Sequence, residues 1–215
     1  MTEFDPRCRE CPRLAAHLDA VSQQHPDYHC APVAPFGADD ARLLIVGLAP
    51  GMHGANATGR PFTGDHAGIL LYRTLHEFGF ASAAQSRSRD DGLQLYDCRI
   101  TNAVKCLPPE NKPTGSEISR CRGYLAAELA ALPANAVVLA LGGIAHRSVL
   151  SASGLVATRH PFGHELVYDL PHGQRLLSSY HCSRYNTQTR RLTEPMFRQV
   201  FARARALLDE AGAVV

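Results

Sequence analysis

Short apolar runs that alternate with amphipathic segments constrain this 215-residue chain more than any other feature of its sequence. We predict strands at residues 42–47, 99–104, 136–141, 165–170 and 175–180, because each run is apolar and is bounded by glycine, proline or polar residues. Strands that alternate with helices form a mostly parallel sheet that helices cover on both faces. The sequence therefore predicts an α/β fold, a three-layer αβα sandwich with a central, mostly parallel, four- to five-stranded sheet.

Apolar residues that recur at helical spacing predict four helices around this sheet. They span residues 66–78, 116–132, 144–150 and 193–211. Ligands of such sheets bind beyond the carboxyl ends of the strands. Because polar and glycine-rich sequence follows several predicted strands, we expect one site assembled from several loops. We expect a single domain of residues 1–215 with an N-terminal segment of residues 1–40, and a mobile surface loop at residues 82–92.

The charge of the chain does not by itself indicate a partner. The 22 Lys and Arg residues against 20 Asp and Glu give a net charge of +2, which is too small to predict a polyanionic ligand. Lys105 and Lys112 are the only lysines, so nearly all the basic residues are arginine. Either a coding bias or a surface that binds phosphate oxygens would explain the preference for arginine over lysine.

The sequence predicts no membrane segment. No apolar run reaches the roughly 20 residues that a membrane span needs, and the polar N-terminus does not resemble a signal peptide. We therefore expect a cytoplasmic protein of the bacterial cytosol and nucleoid.

Four of the seven cysteines have the spacing of metal ligands. In a chain without a secretory segment, cysteines indicate metal ligands or buried thiols more than disulfides. Cys8 and Cys11 form a Cys-x2-Cys pair, and Cys106 and Cys121 bracket a proline-rich stretch. Four thiolates satisfy either zinc or an iron–sulfur cluster, and spacing does not choose between them. A redox dithiol is the alternative for the first pair.

The predicted loop at residues 47–65 carries the clearest functional signal. Gly47 and Gly51 let its backbone approach a planar or phosphate ligand closely, but it lacks the Gly-Lys-Ser/Thr end of a P-loop. Phe62 either stacks on a base or anchors the loop in the core. Asp65 is a candidate general base and also a candidate N-cap of the helix that follows, and the two roles are compatible.

A second polar segment follows the last predicted strand. His181 lies at the end of that strand, where catalytic residues lie in such sheets. Ser183 can donate a hydrogen bond to a phosphate, and Arg184, Arg190 and Arg191 can follow a nucleic-acid backbone.

Three segments of the chain resemble the iron–sulfur-containing uracil-DNA glycosylases, and most closely their family 5 (type b) branch. They are GLAPGMHGANATGRPFTGD at 47–65, ITNAVKCLPPENKPT at 100–114 and SYHCSRYNTQTRRLT at 179–193. The resemblance spans nearly the whole chain, since Cys8, Cys11, Cys106 and Cys121 match the four cluster ligands of the family. It implies a structural [4Fe-4S] cluster, two of whose ligands lie in segment 1–40, and no catalytic metal.

The resemblance implies a monofunctional DNA glycosylase that flips a deaminated base out of double-stranded DNA and hydrolyses its N-glycosidic bond. Because the sequence shows no heptad and no exposed apolar stripe, we expect a monomer. Asp65 would orient the water and favour the cationic sugar, His181 would donate to the base O2, and Asn102 would bond the polar edge of the base. The residues implied to line the pocket are Gly47, Leu48, Ala49, Pro50, Gly51 and Phe62. Those implied to hold the DNA are Ser183, Arg184, Tyr185, Arg190 and Arg191, with Tyr185 as the wedge.

Two departures from the family pattern bear on activity and base range. Cys182 stands where the family usually has proline, so the rigid φ of proline is missing. Gly51 is shared with the narrower, uracil-specific family 4, whereas Leu48 and the insert at 53–60 favour family 5, which also takes hypoxanthine and xanthine. The alternatives are a family 4-like enzyme, a catalytically weak protein that binds DNA damage or abasic sites, and a zinc-containing nucleic-acid-binding module.

Overall fold

The computed structural model describes residues 3–212 and contains one six-stranded sheet in that range. The strands are β1 (Phe36–Gly37), β2 (Leu43–Gly47), β3 (Cys98–Asn102), β4 (Val137–Leu141), β5 (Val167–Asp169) and β6 (Arg175–Ser179). Their order across the sheet is β1-β3-β2-β4-β6-β5. The four central strands are parallel, and the edge strands β1 and β5 are antiparallel to their neighbours. The predicted α/β fold is confirmed.

All five predicted strands are present, but the prediction of four or five strands missed β1. This strand has only two residues, Phe36–Gly37, which is too short to show a period-two pattern. The continuous apolar runs of β2 and β4 reflect their central place, since every residue of both strands is buried.

The described residues form seven α-helices. They are α1 (Pro12–Gln24), α2 (Ala55–Thr58), α3 (His66–Glu77), α4 (Gly115–Ala131), α5 (Gly143–Ala152), α6 (Arg184–Gln188) and α7 (Glu194–Gly212). The four predicted helices correspond to α3, α4, α5 and α7, with ends that differ by at most two residues. Thr114 caps α4 through a capping box with Glu117, two residues before the serine at which we predicted the helix to start. No helix within residues 3–212 is long and apolar enough to cross a membrane.

Helices cover the sheet on both faces, as the sandwich prediction requires. Alternate residues of β2 point to opposite faces: Leu43 and Ile45 pack against α3 and α7, and Leu44 and Val46 pack against α4 and α5. Because the four central strands are parallel, their carboxyl ends lie at one edge of the sheet. The predicted domain limits, residues 1 and 215, lie outside the described residues.

The helix α1 belongs to a third apolar cluster beside the sheet. Its residues Leu14 and Leu18 pack there with Val104 and Leu107, which follow β3. Arg13 ties α1 to α4, because its Nε donates to Oε1 of Glu117 at 2.8 Å. The N-terminal segment is therefore fixed to the same sheet edge from which the loops emerge.

Candidate active site

A cavity of about 360 Å³ lies beyond the carboxyl ends of β2 and β3 and beside the segment that follows β6; we call it the main cavity. Its lining residues are Leu48, Ala49, Gly51, Ala55, Phe62, Asp65, Asn102, Asn111, His181 and Ser183. The structure therefore brings together the three predicted catalytic residues and most of the predicted pocket residues. Gly47 and Pro50 lie behind this lining and are buried.

Gly47 is required by the close packing at the end of β2. It pairs in register with Asn102 on β3. A Cβ atom at position 47 would lie 2.4 Å from Oδ1 of Asn102 and 2.7 Å from Cζ of Phe62. Only glycine lets both side chains lie against the strand end, so this residue sets the position of two walls of the main cavity.

Asp65 caps α3 and also lines the main cavity. Its Oδ1 accepts a hydrogen bond from the backbone N–H of Gly68 at 2.8 Å, as in other helix N-caps. Its Oδ2 faces the turn at Gly54, where an added Cβ would lie 2.8 Å from that oxygen. Burial raises the pKa of Asp65, and the N–H groups of Gly68 and Ala67 act in the opposite direction. One carboxylate oxygen is thus used by the helix, and the other faces the cavity wall.

His181 presents a neutral imidazole to the main cavity. Burial lowers the pKa of His181 to about 4, so the ring is uncharged at neutral pH and carries one N–H donor. Asn186 donates from Nδ2 to the His181 carbonyl at 2.8 Å, which fixes the backbone there. The ring lies nearly parallel to that of Phe62, at 26° and with a centroid distance of 5.9 Å.

Phe62 adopts a left-handed backbone conformation, with φ of 54°. Such values are uncommon for a bulky residue and persist only where the surroundings enforce them. Here Tyr72 donates its hydroxyl to the carbonyl of Pro61 at 2.8 Å, and Gly68 leaves room for the Phe62 carbonyl, 1.8 Å from where a Cβ would be. The loop is therefore held at Phe62 from two sides by α3.

Arg60 fastens the predicted mobile loop to this same segment. Its Nη1 donates to Oδ1 of Asp91 at 2.6 Å and to the hydroxyl of Ser86 at 3.0 Å, and its guanidinium lies 4.4 Å from the ring centroid of Phe36. The segment 82–92 lacks regular structure but is tied to the cavity loop by a buried ion pair. Sequence alone did not show this, because the partners are about 30 residues apart.

Asn102 lies at the end of β3 with its amide available to a ligand. The side chain is 4% exposed, and within residues 3–212 its amide has no hydrogen-bond partner. Lys105 supports it from behind, since its Nζ donates to the Asn102 carbonyl at 2.9 Å and to Oε1 of Glu128 at 2.6 Å. The sequence analysis assigned no role to Lys105, whose buried position follows from tertiary packing.

Asn111 is a cavity residue that the sequence analysis missed. It has a φ of 57° and follows Glu110, which has a φ of 54°. Its N–H donates to the Pro108 carbonyl at 3.1 Å. Asparagine is one of the few residues that tolerate this backbone conformation, so its place between prolines after β3 was the available signal.

The segment after His181 forms the short helix α6 instead of the predicted irregular loop. Ser183 caps α6 by accepting from the Asn186 N–H at 3.4 Å, and it lines the main cavity. Arg184 lines an adjoining groove of about 550 Å³ that also reaches Asp65 and Arg87. Local capping explains the helix, whose five residues are too few to show an apolar stripe.

The remaining residues of the predicted DNA-binding set occupy three different environments. Tyr185 is 71% exposed on α6. Arg190 lies in a separate groove against α3. Arg191 places its guanidinium 4.8 Å from the ring centroid of Tyr180. Of these, Tyr185 has the exposure that a wedge residue needs.

Cys182 is fully buried in the core between the sheet, α3 and α7. Burial raises the pKa of Cys182 well above its usual range, and the charge of Asp65 adds to the effect. The thiol therefore stays protonated at neutral pH and behaves as a small apolar side chain.

The four predicted ligand cysteines lie near one another beside α1 and α4; we call them the cysteine cluster. Cys11, Cys106 and Cys121 are buried in the apolar cluster of α1. Burial raises the pKa of Cys106 to about 12, and the nearby thiols of Cys121, Cys8 and Cys11 add to that rise. No group of three or more His, Cys, Asp or Glu side chains in residues 3–212 has the spacing to hold one metal ion. The role of the cysteines as ligands stays a prediction.

Comparison with known proteins agrees with this geometry. The family model of the uracil-DNA glycosylase superfamily matches residues 34–205. The chain is 48% identical over 205 residues to the type-5 uracil-DNA glycosylase of Thermus thermophilus, with 93% of each chain covered. It is 44% identical over 209 residues to that of Mycobacterium leprae, with 93% of this chain and 91% of the relative covered.

One solved structure shares the fold at low sequence identity. It is the crystal structure of wild-type Pedobacter heparinus SMUG2, with a TM-score of 0.52 and 12% identity, covering 97% of this chain and 94% of that one. The family match covers most of the chain, and the similarity to the type-5 relatives extends over nearly all of it. The chain therefore belongs to the uracil-DNA glycosylase superfamily and, within it, to the type-5 family.

Proposed function

We propose that this protein starts base excision repair by removing uracil, and other deaminated bases such as hypoxanthine and xanthine, from double-stranded DNA. The observation that carries the proposal is the convergence of Asp65, Asn102 and His181 on the main cavity. The glycosidic bond is inaccessible inside the duplex, so the target nucleotide has to leave the stack and enter this cavity.

The flipped base would lie beside the Phe62 and His181 rings. Their centroids are 5.9 Å apart, which is less than the about 7 Å that a base inserted between two rings needs. A base on the open side of Phe62 would meet the Asn102 amide at its polar edge. The neutral His181 N–H would then donate to O2, where negative charge develops as the N-glycosidic bond breaks.

Asp65 would act on the sugar side of the same bond. The Oδ1 atom serves the cap of α3, so Oδ2 is left to orient the attacking water and to face the cationic sugar. The N-glycosidic bond would break and the base would leave as its anion, while water adds to the sugar C1′ and gives up one proton to Asp65 and from there to solvent. The base anion would take up one proton from solvent, so the step consumes one water. Because the cap fixes the carboxylate, the oxygen that acts is already positioned before DNA binds.

The proposed breadth of base range is supported by the small residues on one wall of the main cavity. Ala49, Gly51 and Ala55 line it and leave no bulky side chain that would exclude a purine. The Asn102 amide offers both a donor and an acceptor, so it can pair with the edge of more than one deaminated base.

We further propose that the cysteine cluster holds a structural [4Fe-4S] cluster. Its donor set, four thiols drawn together beside α1, suits a cationic centre that keeps thiolates charged. Four thiols can hold either a zinc ion or an iron–sulfur cluster, and the resemblance to the iron–sulfur-containing glycosylases favours the second. Cys8, Cys11, Cys106 and Cys121 would hold it through their thiolates. Bound there, the group would supply structural support and no step of the reaction.

The cysteine cluster would also support the main cavity. Ala49 and Met52 of the cavity loop pack against the apolar cluster that contains Cys11, Cys106 and Cys121. Loss of the [4Fe-4S] cluster would therefore loosen one wall of the main cavity.

The proposed function is tested by base release from labelled duplexes and single strands that carry one uracil, hypoxanthine, xanthine or normal base. Alkali then cleaves the strand at each abasic site. We expect release of all three deaminated bases from the duplex and none from the control. Release of uracil alone would support a base range limited to uracil. Binding of the duplex without release of any base would contradict the proposed enzymatic activity. Sedimentation of the same protein with and without DNA should show a monomer.

A further inference from the structure

A cavity of about 300 Å³ lies between α4 and α5, separate from the main cavity; we call it the α4/α5 cavity. The polar residues on its walls are Ser119 and Arg122 from α4 and Arg147, Ser148 and Ser151 from α5. No role described above uses these side chains. All five side chains can donate hydrogen bonds, so the α4/α5 cavity offers hydrogen-bond donors to a ligand that has acceptor atoms.

Arg122 and Arg147 carry uncompensated charge. Within residues 3–212, neither guanidinium has a carboxylate within 4.0 Å, unlike Arg13 and Arg60. The two acidic residues of α4 are already engaged, Glu117 by Arg13 and Glu128 by Lys105. The sequence of α5 contains no acidic residue. The cavity is therefore positively charged, and its charge is balanced by no neighbour on either helix.

Ser148 supplies an independent indication of a ligand. The residue is only 5% exposed, and its Oγ is buried without a hydrogen-bond partner in the described residues. Buried hydroxyl groups are nearly always paired, and an orphan calls for an explanation. A ligand oxygen that accepts from Ser148 and pairs with the two arginines explains all three side chains together.

The α4/α5 cavity lies at the same edge of the sheet as the main cavity. Its residue Ala103 directly follows Asn102. A Cβ at Gly143 would lie 3.3 Å from Nη1 of Arg147, and one at Gly142 would lie 3.5 Å from Cβ of His181. The β4–α5 turn therefore separates the two cavities at this edge of the sheet.

We propose that Arg122, Arg147 and Ser148 form a phosphate site that holds the DNA backbone on the α4/α5 side of the main cavity. This inference rests on the proposed function, because that function brings DNA to this edge of the sheet. The ligand chemistry is a phosphate oxyanion, for which the two guanidinium groups and the buried hydroxyl are suitable donors.

The test uses the full-length protein with both arginines neutralised, Arg122→Gln with Arg147→Gln. The matched control is Arg198→Gln with Arg203→Gln, which removes the same charge from α7 on the opposite face of the sheet. The measured quantity is the dissociation constant for an undamaged duplex over a series of salt concentrations. We expect the cavity variant to bind about ten-fold more weakly and its salt slope to fall by about 1, while the control keeps the wild-type slope.

Ser148→Ala sharpens the assignment. Removal of an unpaired buried hydroxyl should leave thermal stability equal or higher without DNA, yet weaken duplex binding by about three-fold if Ser148 meets a phosphate. A purely structural serine would not show this combination.

Several outcomes would overturn the inference. Equal slopes for the wild type and the cavity variant, with both folded, would remove the site from DNA binding. Binding of inorganic phosphate that the variant loses without any change in duplex affinity would assign the site to a free phosphate ligand, against a backbone contact. Uracil release by the wild type on the same duplexes tests the proposed function separately, so failure of one is distinguishable from failure of the other.

Discussion

The main cavity and the cysteine cluster are held in place in different ways. The residues around the main cavity are held by contacts within the chain. Asp65 caps α3, Gly47 leaves room for the side chains of Asn102 and Phe62, and Phe62 is held in a left-handed conformation. Around the cysteine cluster, the polar ties between α1 and α4 are few. Arg13 binds Glu117, and Arg120 donates to the Glu10 carbonyl.

We propose that the two regions differ in their dependence on a bound group. The cavity side chains are oriented by hydrogen bonds and packing within the chain, so they should keep their geometry without help. Cys11, Cys106 and Cys121 are buried thiols and Cys8 is half-buried near them, an arrangement that favours thiolates only when a cation is bound. We therefore expect the N-terminal region to respond most to loss of a ligand, and the cavity to respond most in its chemistry.

Replacement of one cysteine should give the largest effect. We expect Cys106→Ser to yield mostly aggregated protein with little iron, because loss of a ligand releases the N-terminal segment from α4. Cys30→Ser is the matched control, since Cys30 is a half-buried thiol outside the cysteine cluster. Iron and sulfide analysis and the soluble yield measure both. Soluble Cys106→Ser with full iron content would contradict the account.

Asp65→Asn should abolish most of the chemistry while the fold survives. Asparagine is also a good N-cap, so α3 should remain capped and the melting temperature should change little. Without a carboxylate, single-turnover uracil release should fall about 10²- to 10⁴-fold. Iron content should equal that of the wild type. A rate within ten-fold of the wild type would remove Asp65 from the mechanism.

The pH profile should separate Asp65 from His181. Asp65 acts when ionised, and burial raises its pKa, so the rate should fall as the pH falls through a value above that of an ordinary aspartate. His181 has a pKa of about 4 and stays neutral above it. The single-turnover rate should therefore fall once as the pH is lowered from neutral towards the pKa of His181. The Asp65→Asn variant should not show this fall. The same fall in the variant would assign it to another group.

Two arginines near α6 should give the smallest effects, and unequal ones. Arg184 is exposed beside the groove that reaches Asp65, so Arg184→Gln should lower the salt slope of duplex binding by about 1. Arg191 stacks on Tyr180, so Arg191→Gln should cost about 0.5–1 kcal/mol of stability and leave the slope unchanged. Equal slope changes would show that both arginines hold phosphate.

Much of the fold could be predicted because its signals are local. The apolar runs of β2 and β4 and the apolar stripe of α7 extend over enough residues to show their period. The position of Asp65 directly before α3 was enough to predict it as an N-cap. The strand β1 and the helices α2 and α6 escaped prediction because two to five residues show no period. The helix α1 was also missed, although its 13 residues carry a stripe of Leu14, Leu18 and Val21.

The rest of the candidate site depends on contacts between distant segments. Lys105 becomes a supporting residue only when α4 brings Glu128 to it, and Arg60 ties down residues 82–92 only in the folded chain. Asn111 reaches the main cavity through two successive left-handed residues. The resemblance to a family supplied roles for Asn102 and His181 that their local sequence could not.

The central claim is that the main cavity receives the flipped base, and a crystal structure of Asp65→Asn bound to a uracil-containing duplex tests it most directly. The account predicts an extrahelical uracil in the main cavity, with its polar edge on the Asn102 amide and O2 within hydrogen-bond distance of the His181 ring. A uracil that stays stacked in the duplex, or lies in the groove beside Arg87 and Arg184, would contradict it.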